Sequence, residues 1–219
     1  MMKFLFVTVL FSLLLTGCDS LSPITPAQAE QLMENPHSPD ARREGIAALA
    51  TRWTFTLRPP YTTRWQQIAQ HDPDFIVRAM AIRALNIARD KSATKIFIAG
   101  LDDADEPVRL ESAKALANVP DPDAIPALFE RLQGTREIVS DGRPIVIAED
   151  KDVRIAAADA LRQYRTLDVA HTLVRYLDEQ DFGVAWQSRH SLIALTGHDL
   201  HYDQTAWLRY LVGPGGPFG

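Results

Sequence analysis

Cysteine is nearly missing from this chain: Cys18 stands alone. Without a second thiol no intramolecular disulfide forms, so a domain built from this sequence rests on packing. Glycine is sparse, at 11 of 219 residues, which together with Ala- and Leu-rich stretches favours helices. The apolar run at residues 4–15 has only twelve residues, short of the roughly 20 that a spanning helix needs. Basic charge is not in excess either: 23 Lys and Arg face 28 Asp and Glu, a poor match for a nucleic-acid backbone. No nucleophile elbow, Walker sequence, dinucleotide fingerprint or Cys–His pairing occurs after Cys18, which turns the reading from catalysis toward binding. The late glycines at 213–219 open no helix and follow no strand, so they read as a flexible tail.

What the chain does have is a recurring phrase. Asp105, Val108, Arg109, Ser112, Ala115 and Leu116 are matched by Asp74, Val77, Arg78, Ala81, Ala84 and Leu85. They are matched again by Asp150, Val153, Arg154, Ala157, Ala160 and Leu161. Degenerate copies begin at Asp40, with Arg42, Gly45, Ala48 and Leu49, and at Asp181, where Ala185 replaces the Arg. The increments of three, four and seven trace one face of an α-helix. Small residues on that face let a neighbouring helix come close, and the leading Asp can cap the first turn. Amphipathic runs at 92–101, 124–132 and 169–177 follow the phrases, giving helical hairpins. Arg-to-Arg spacings of 36, 31 and 45 residues, then 31 to Ala185, lie in the range of stacked helix pairs.

The pattern Asp-x-x-Val-Arg-x-x-Ala-x-x-Ala-Leu resembles HEAT repeats of the phycobilisome-lyase type over residues 38–212. The resemblance implies an all-α, right-handed α-solenoid of about five HEAT-like hairpins. It also implies an interaction scaffold, or, in the lyase-like branch, a protein that handles a chromophore or modifies side chains. The paired Asp74, Arg78, Asp105, Arg109, Asp150 and Arg154 invite a catalytic reading. Yet a group needed once for chemistry has no reason to recur at each turn, whereas a cap and a loop-bonding Arg do. They are therefore read as a structural ladder, with no catalytic residue and no cofactor assigned.

The N-terminus is separate. Lys3, the apolar run and Leu15-Thr16-Gly17-Cys18 occur in the order of a secretory signal. The last four resemble a bacterial lipobox, implying cleavage between Gly17 and Cys18 and acylation of the thiol. Residues 1–17 read as signal peptide, and 18–37 as lipidated Cys and tether with a short helix after Thr25. Several acyl chains hold a protein stably at a membrane. Residues 52–65 interleave Arg52, Arg58 and Arg64 with four aromatics, and Trp53, Phe55 and Leu57 alternate as in an extended segment. This stretch is read as a cap of aromatics over an open end; the other reading is a patch for anions, headgroups or glycans. Surplus residues at 134–149 hold Asp141-Gly142 between two β-branched runs, the signature of a β-hairpin insertion.

The leading functional expectation is a lipid-anchored cell-envelope scaffold for a protein partner. Contacts are expected on the second helices at Lys95, Glu130, Arg131, His171 and Arg175. Alternatives are the lyase-like enzyme and a metal-binding protein using His198, Asp199, His201 and Asp203. Against metal, His-x-x-His on a loop lacks the helical i, i+4 geometry of the zinc motif, and caps and turns explain these residues better.

Overall fold

The computed structural model describes residues 24–218. The signal region with Gly17 and Cys18 lies outside the described residues. The helices are α1 (Pro26–Met33), α2 (Pro39–Arg52), α3 (Tyr61–His71), α4 (Phe75–Ile87), α5 (Thr94–Gly100) and α6 (Glu106–Asn118). They continue as α7 (Ile125–Gln133), α8 (Lys151–Leu161), α9 (Leu167–Arg175), α10 (Phe182–Thr196) and α11 (Gln204–Val212). Strands β1 (Thr135–Ser140) and β2 (Arg143–Ala148) sit between α7 and α8.

Each phrase is one helix: α2, α4, α6, α8 and α10 pack on one another in series. Their buried face is the phrase itself, with Val77, Ala81, Ala84 and Leu85, and their equivalents in α6 and α8, wholly or almost wholly buried. The position seven after the cap holds Gly45, Ala81, Ser112, Ala157 or Ser188, all buried, because the short helix beside it leaves no room for more. At Gly100 the constraint is reciprocal: an added Cβ would lie 2.2 Å from Ser112 Oγ. Asp74, Asp150 and Asp181 cap their helices through the side chain, and Ser38 rather than Asp40 caps α2. Asp105 departs from the expectation. It makes no side-chain cap and instead accepts from Arg78.

The pairing of helices is one step out of phase with the sequence reading. The short helices α3, α5, α7 and α9 pack principally on the phrase helix that follows them, not the one before. The repeat is therefore short helix, loop, phrase helix, and α11 closes the last layer against α9. Short helices touch one another far less than phrase helices do. A stack tighter on one side curves toward that side, so the phrase helices line the inner face and the short helices fan over the outer one.

Three local expectations change. Residues 53–57 are not extended; Thr54–Thr56 form a 3-10 turn, because the Thr56 hydroxyl bonds the carbonyls of Trp53 and Leu49. Nor do the aromatics there cap an open end. Trp65 is wholly buried in α3 and α1 lies outside it, while Phe55 stays half exposed. The tail folds back through a turn from Gly216 N to Gly213 O of 2.9 Å and places Phe218 against the core.

The insertion is a two-stranded antiparallel hairpin closed at Ser140 and Arg143. Both turn residues have positive φ, Asp141 at 51° and Gly142 at 74°, as a type I′ turn requires. Ile138 and Ile147 are half covered, whereas Val139 and Val146 on the other face are exposed.

Candidate binding surface

Two ladders of polar side chains run along the stack. One lies on the edge where each short helix turns into its phrase helix. Arg42 grips Asp72 with two bonds of 2.7 and 2.8 Å, and Arg78 grips Asp103 at 3.1 and 2.9 Å. Arg109 donates to Glu149 at 3.1 and 2.8 Å, and Arg154 to Glu179 at 2.6 Å. Each Arg also donates to a backbone carbonyl before its own helix: Asn35, Asp72 and Asp103 in the preceding loops, and Leu132 in the last turn of α7. The hydrogen bond from Arg154 holds the Glu179 carboxyl below the usual glutamate range, against burial that pushes it up. Arg78, Arg109 and Arg154 thus occupy equivalent places in successive layers, joining each loop to the next. Each of these guanidiniums is held between an acid and a backbone carbonyl, the arrangement of a structural rung.

The second ladder lies on the inner face and is irregular. The ninth residue after one cap meets the sixth after the next. Arg83 on α4 grips Glu111 on α6 at 3.0 and 2.7 Å, and Asp159 on α8 accepts from Gln187 on α10 at 3.0 Å. Between them the rung is absent: Lys114 faces the small Ala156 position and turns back to Glu111 at 3.3 Å. Burial alone would raise the Glu111 pKa; the Arg83 hydrogen bond and the charges of Arg83 and Lys114 outweigh it and leave it lowered. Between α4 and α6 lies a groove of about 330 Å³ with Ile76, Met80, Pro107 and Leu110 as its apolar lining and Arg83 and Lys114 on its rim. Further along the same face, Trp186 is 42% exposed and stacks on His190 at 3.6 Å.

A larger cleft, of about 600 Å³, opens beside Arg42, Arg64 and Asp72. Its Arg42 and Asp72 form a rung of the repeating Arg ladder, and its Arg64 is held by Glu34. The inner groove is the better candidate, because its polar groups do not recur from layer to layer.

The expected contact residues fall elsewhere. Lys95, Glu130 and Arg175 are exposed and His171 half buried, all on the outer short helices. Arg131 is 7% exposed and bonded to Glu149 at 3.3 Å, so it belongs to the core of the ladder and not to an open surface. The inner-face residues went unread because they lie inside the phrase, at positions where its consensus is silent.

The candidate metal residues are spread over three jobs. Asp199 takes two bonds from Arg189 and one from His201 N, which hold its carboxyl at about 2. Asp203 caps α11, and His198 Nδ1 lies 2.6 Å from the Tyr210 hydroxyl. Among the described residues no three His, Cys, Asp or Glu side chains converge as a metal site would need. No helix among them is long and apolar enough to cross a membrane.

Residues 62–142 match the family of HEAT repeats. Among solved structures, the complex of CpcE and CpcF of phycocyanin lyase from Nostoc sp. PCC7120 is similar at 19% identity and a TM-score of 0.66. The match covers 90% of this chain and 74% of that one. YibA of E. coli is similar at 18% identity and a TM-score of 0.57, covering 76% and 58%. An engineered protein is similar at 19% identity and a TM-score of 0.53, covering 77% and 79%. No curated protein matches the chain by sequence. At these identities the likeness is one of fold. The chain carries HEAT repeats at residues 62–142 and continues their architecture on either side as a HEAT-like α-solenoid.

Proposed function

We propose that this chain is a lipid-anchored adaptor of the bacterial cell envelope that holds a protein partner on its inner face. The observation that carries the reading is the broken inner ladder, where apolar lining and the half-exposed Arg83 and Lys114 stand open between α4 and α6. A surface kept only for stacking would repeat its rungs, as the Arg edge does. The similar CpcE–CpcF structure is itself a complex of two proteins, which supports partnering. The lyase-like alternative calls for a pocket with polar residues that do not recur between repeats, and would place a small molecule rather than a protein partner in this same groove. Anchoring rests on Leu15-Thr16-Gly17-Cys18.

Crosslinked pull-down from native membranes tests the partner surface. Arg83→Glu with Lys114→Glu lowers recovery of the partner on the order of tenfold, since reversing interfacial charges is costly. Lys95→Glu with Arg175→Glu, on the outer helices, leaves it unchanged. The opposite pattern would move the site to the outer face, and equal recovery from both would remove the adaptor reading. For the anchor, Cys18→Ala abolishes incorporation of labelled fatty acid and membrane fractionation; labelling that persists would exclude the lipobox.

A further inference from the structure

The basic and aromatic stretch at residues 52–65 is not absorbed by either ladder. It lies on the edge of the stack opposite the Arg ladder, where phrase helices end and short helices begin. Helices α1 and α3 run parallel: Glu30 bonds the Tyr61 hydroxyl, and one turn further along both, Glu34 bonds Arg64 at 2.8 and 2.6 Å. The start of α1 therefore sits beside Arg58, Pro59 and Pro60, and the chain reaches Ile24 on this same edge. Cys18 is six residues before Ile24, a reach of at most about 20 Å when extended.

The two adjacent loops of this edge, 53–60 and 88–93, present apolar and basic groups together. Phe55 is 48% and Ile87 42% exposed. Arg52, Arg58, Arg89 and Lys91 are exposed, and none pairs with a carboxylate among the described residues. Arg89 bonds only the Asn118 carbonyl, at 3.2 Å. The one acid in these loops, Asp90, is taken up by Ser92 N at 2.9 Å and Gln66 at 2.8 Å. Four uncompensated cations flank two protruding apolar side chains, on the edge where the chain arrives from its acylation motif.

We propose that this edge rests on an anionic lipid surface, with Phe55 and Ile87 entering the headgroup layer and Arg52, Arg58, Arg89 and Lys91 facing lipid phosphates. The inference deepens the anchored reading and depends on it. One lipid modification tethers without orienting; a second, electrostatic contact fixes which edge faces the bilayer. The Arg ladder and the β1–β2 hairpin then point away from the membrane.

The test uses the full acylated protein in vesicles of phosphatidylglycerol and, separately, phosphatidylcholine, read by amide hydrogen exchange. Residues 53–58 and 88–92 exchange about tenfold or more slowly on phosphatidylglycerol than on phosphatidylcholine. Arg52→Glu with Arg58→Glu removes that difference, and so does Arg89→Glu with Lys91→Glu if the first pair perturbs folding. Equal exchange on both lipids, in protein whose intact mass shows an acylated Cys18, overturns the inference and leaves the anchor standing. Protection that persists in both variants overturns it as well. An unmodified Cys18 overturns the anchor and the oriented contact together.

Discussion

Replacing Glu149 by alanine lowers stability by about 3–5 kcal/mol, the range for stripping the partner from a buried charge. The Glu149 side chain is wholly buried, and the side chains of Arg109 and Arg131 beside it are 3% and 8% exposed. Its Oε1 accepts from Arg109 and from Asp150 N, and its Oε2 from Arg131. The site already leans positive. Arg131 Nε and Arg136 Nε are buried without a hydrogen-bond partner among the described residues. Burial first, and then the Arg109 charge, depress the Arg136 pKa. Removing the one carboxylate that faces all three leaves like charges together, with Arg109 stripped of its acid and Arg131 left only the exposed Asp102 and Glu130 at 3.5 Å. Urea unfolding followed by circular dichroism measures the loss, with Asp103→Ala as comparison. That acid is 19% exposed and its Arg partner 15%, so water takes over part of its role and the loss is smaller, about 1–2 kcal/mol. Equal effects of the two substitutions would mean that burial does not set the strength of the rungs. Replacing Arg109, Glu149 and Arg131 together by apolar residues of like size recovers much of the stability, because the desolvation cost leaves with the charges.

The same rung shows how the insertion is tolerated. Elsewhere the ladder Arg reaches an acid 25 or 30 residues on; across the insertion it reaches one 40 on. The hairpin leaves and returns between Gly134 and Glu149, joined by a backbone bond of 2.9 Å. Glu149 comes back to the place that Asp103 and Glu179 hold in their layers. Only the acid is specified, and the loop before it can lengthen.

The phrase helices were legible because burial at the period of a helix leaves small and large apolar residues at fixed steps. The Asp141-Gly142 turn and the stop at Gly197 were legible because backbone with positive φ restricts residue type. The acids that complete the ladder were not read, although a signal existed. Asp72, Asp103 and Glu179 each stand two residues ahead of the next cap, an acid-x-Asp pattern outside the twelve-residue phrase. Which phrase a short helix joins could not be read from period alone, because each lies between two phrases. Arg131 looked like a surface charge because its partner is 18 residues away, beyond a hairpin whose path the sequence does not state. The inner-face rung from Arg83 to Glu111 joins residues 28 apart on two helices, and only the stacking register brings them together.

Gly45→Ala separates α1 from α2 and costs about 1–3 kcal/mol, the range for overpacking a close contact. A Cβ at this position would stand 2.3 Å from Met33 N and 2.5 Å from Ala29 O. Both are backbone atoms of the α1 end of the hairpin, so no rotamer change relieves the clash and the helix itself must shift. The later layers hold Ala or Ser at the equivalent position, so the glycine marks a tighter approach here than elsewhere. Helix α1 spans only eight residues, too short to persist on its own. Once lifted it loses the burial of Ala29 and Met33 and the hydrogen bonds that Glu30 and Glu34 accept from Tyr61 and Arg64 of α3. Amide exchange at residues 26–34 then rises strongly while α6 to α10 stay protected, because each layer of a solenoid leans on its neighbours only. Loss of protection spread evenly over the chain would instead mean that the stack unfolds as one unit. Helix α1 follows Cys18 in the chain, so under the anchored reading proposed above the substitution also loosens the tether from the rest of the stack. Acylated Gly45→Ala protein stays on vesicles, yet the protection of residues 53–58 on phosphatidylglycerol falls, because the edge is no longer held against the surface.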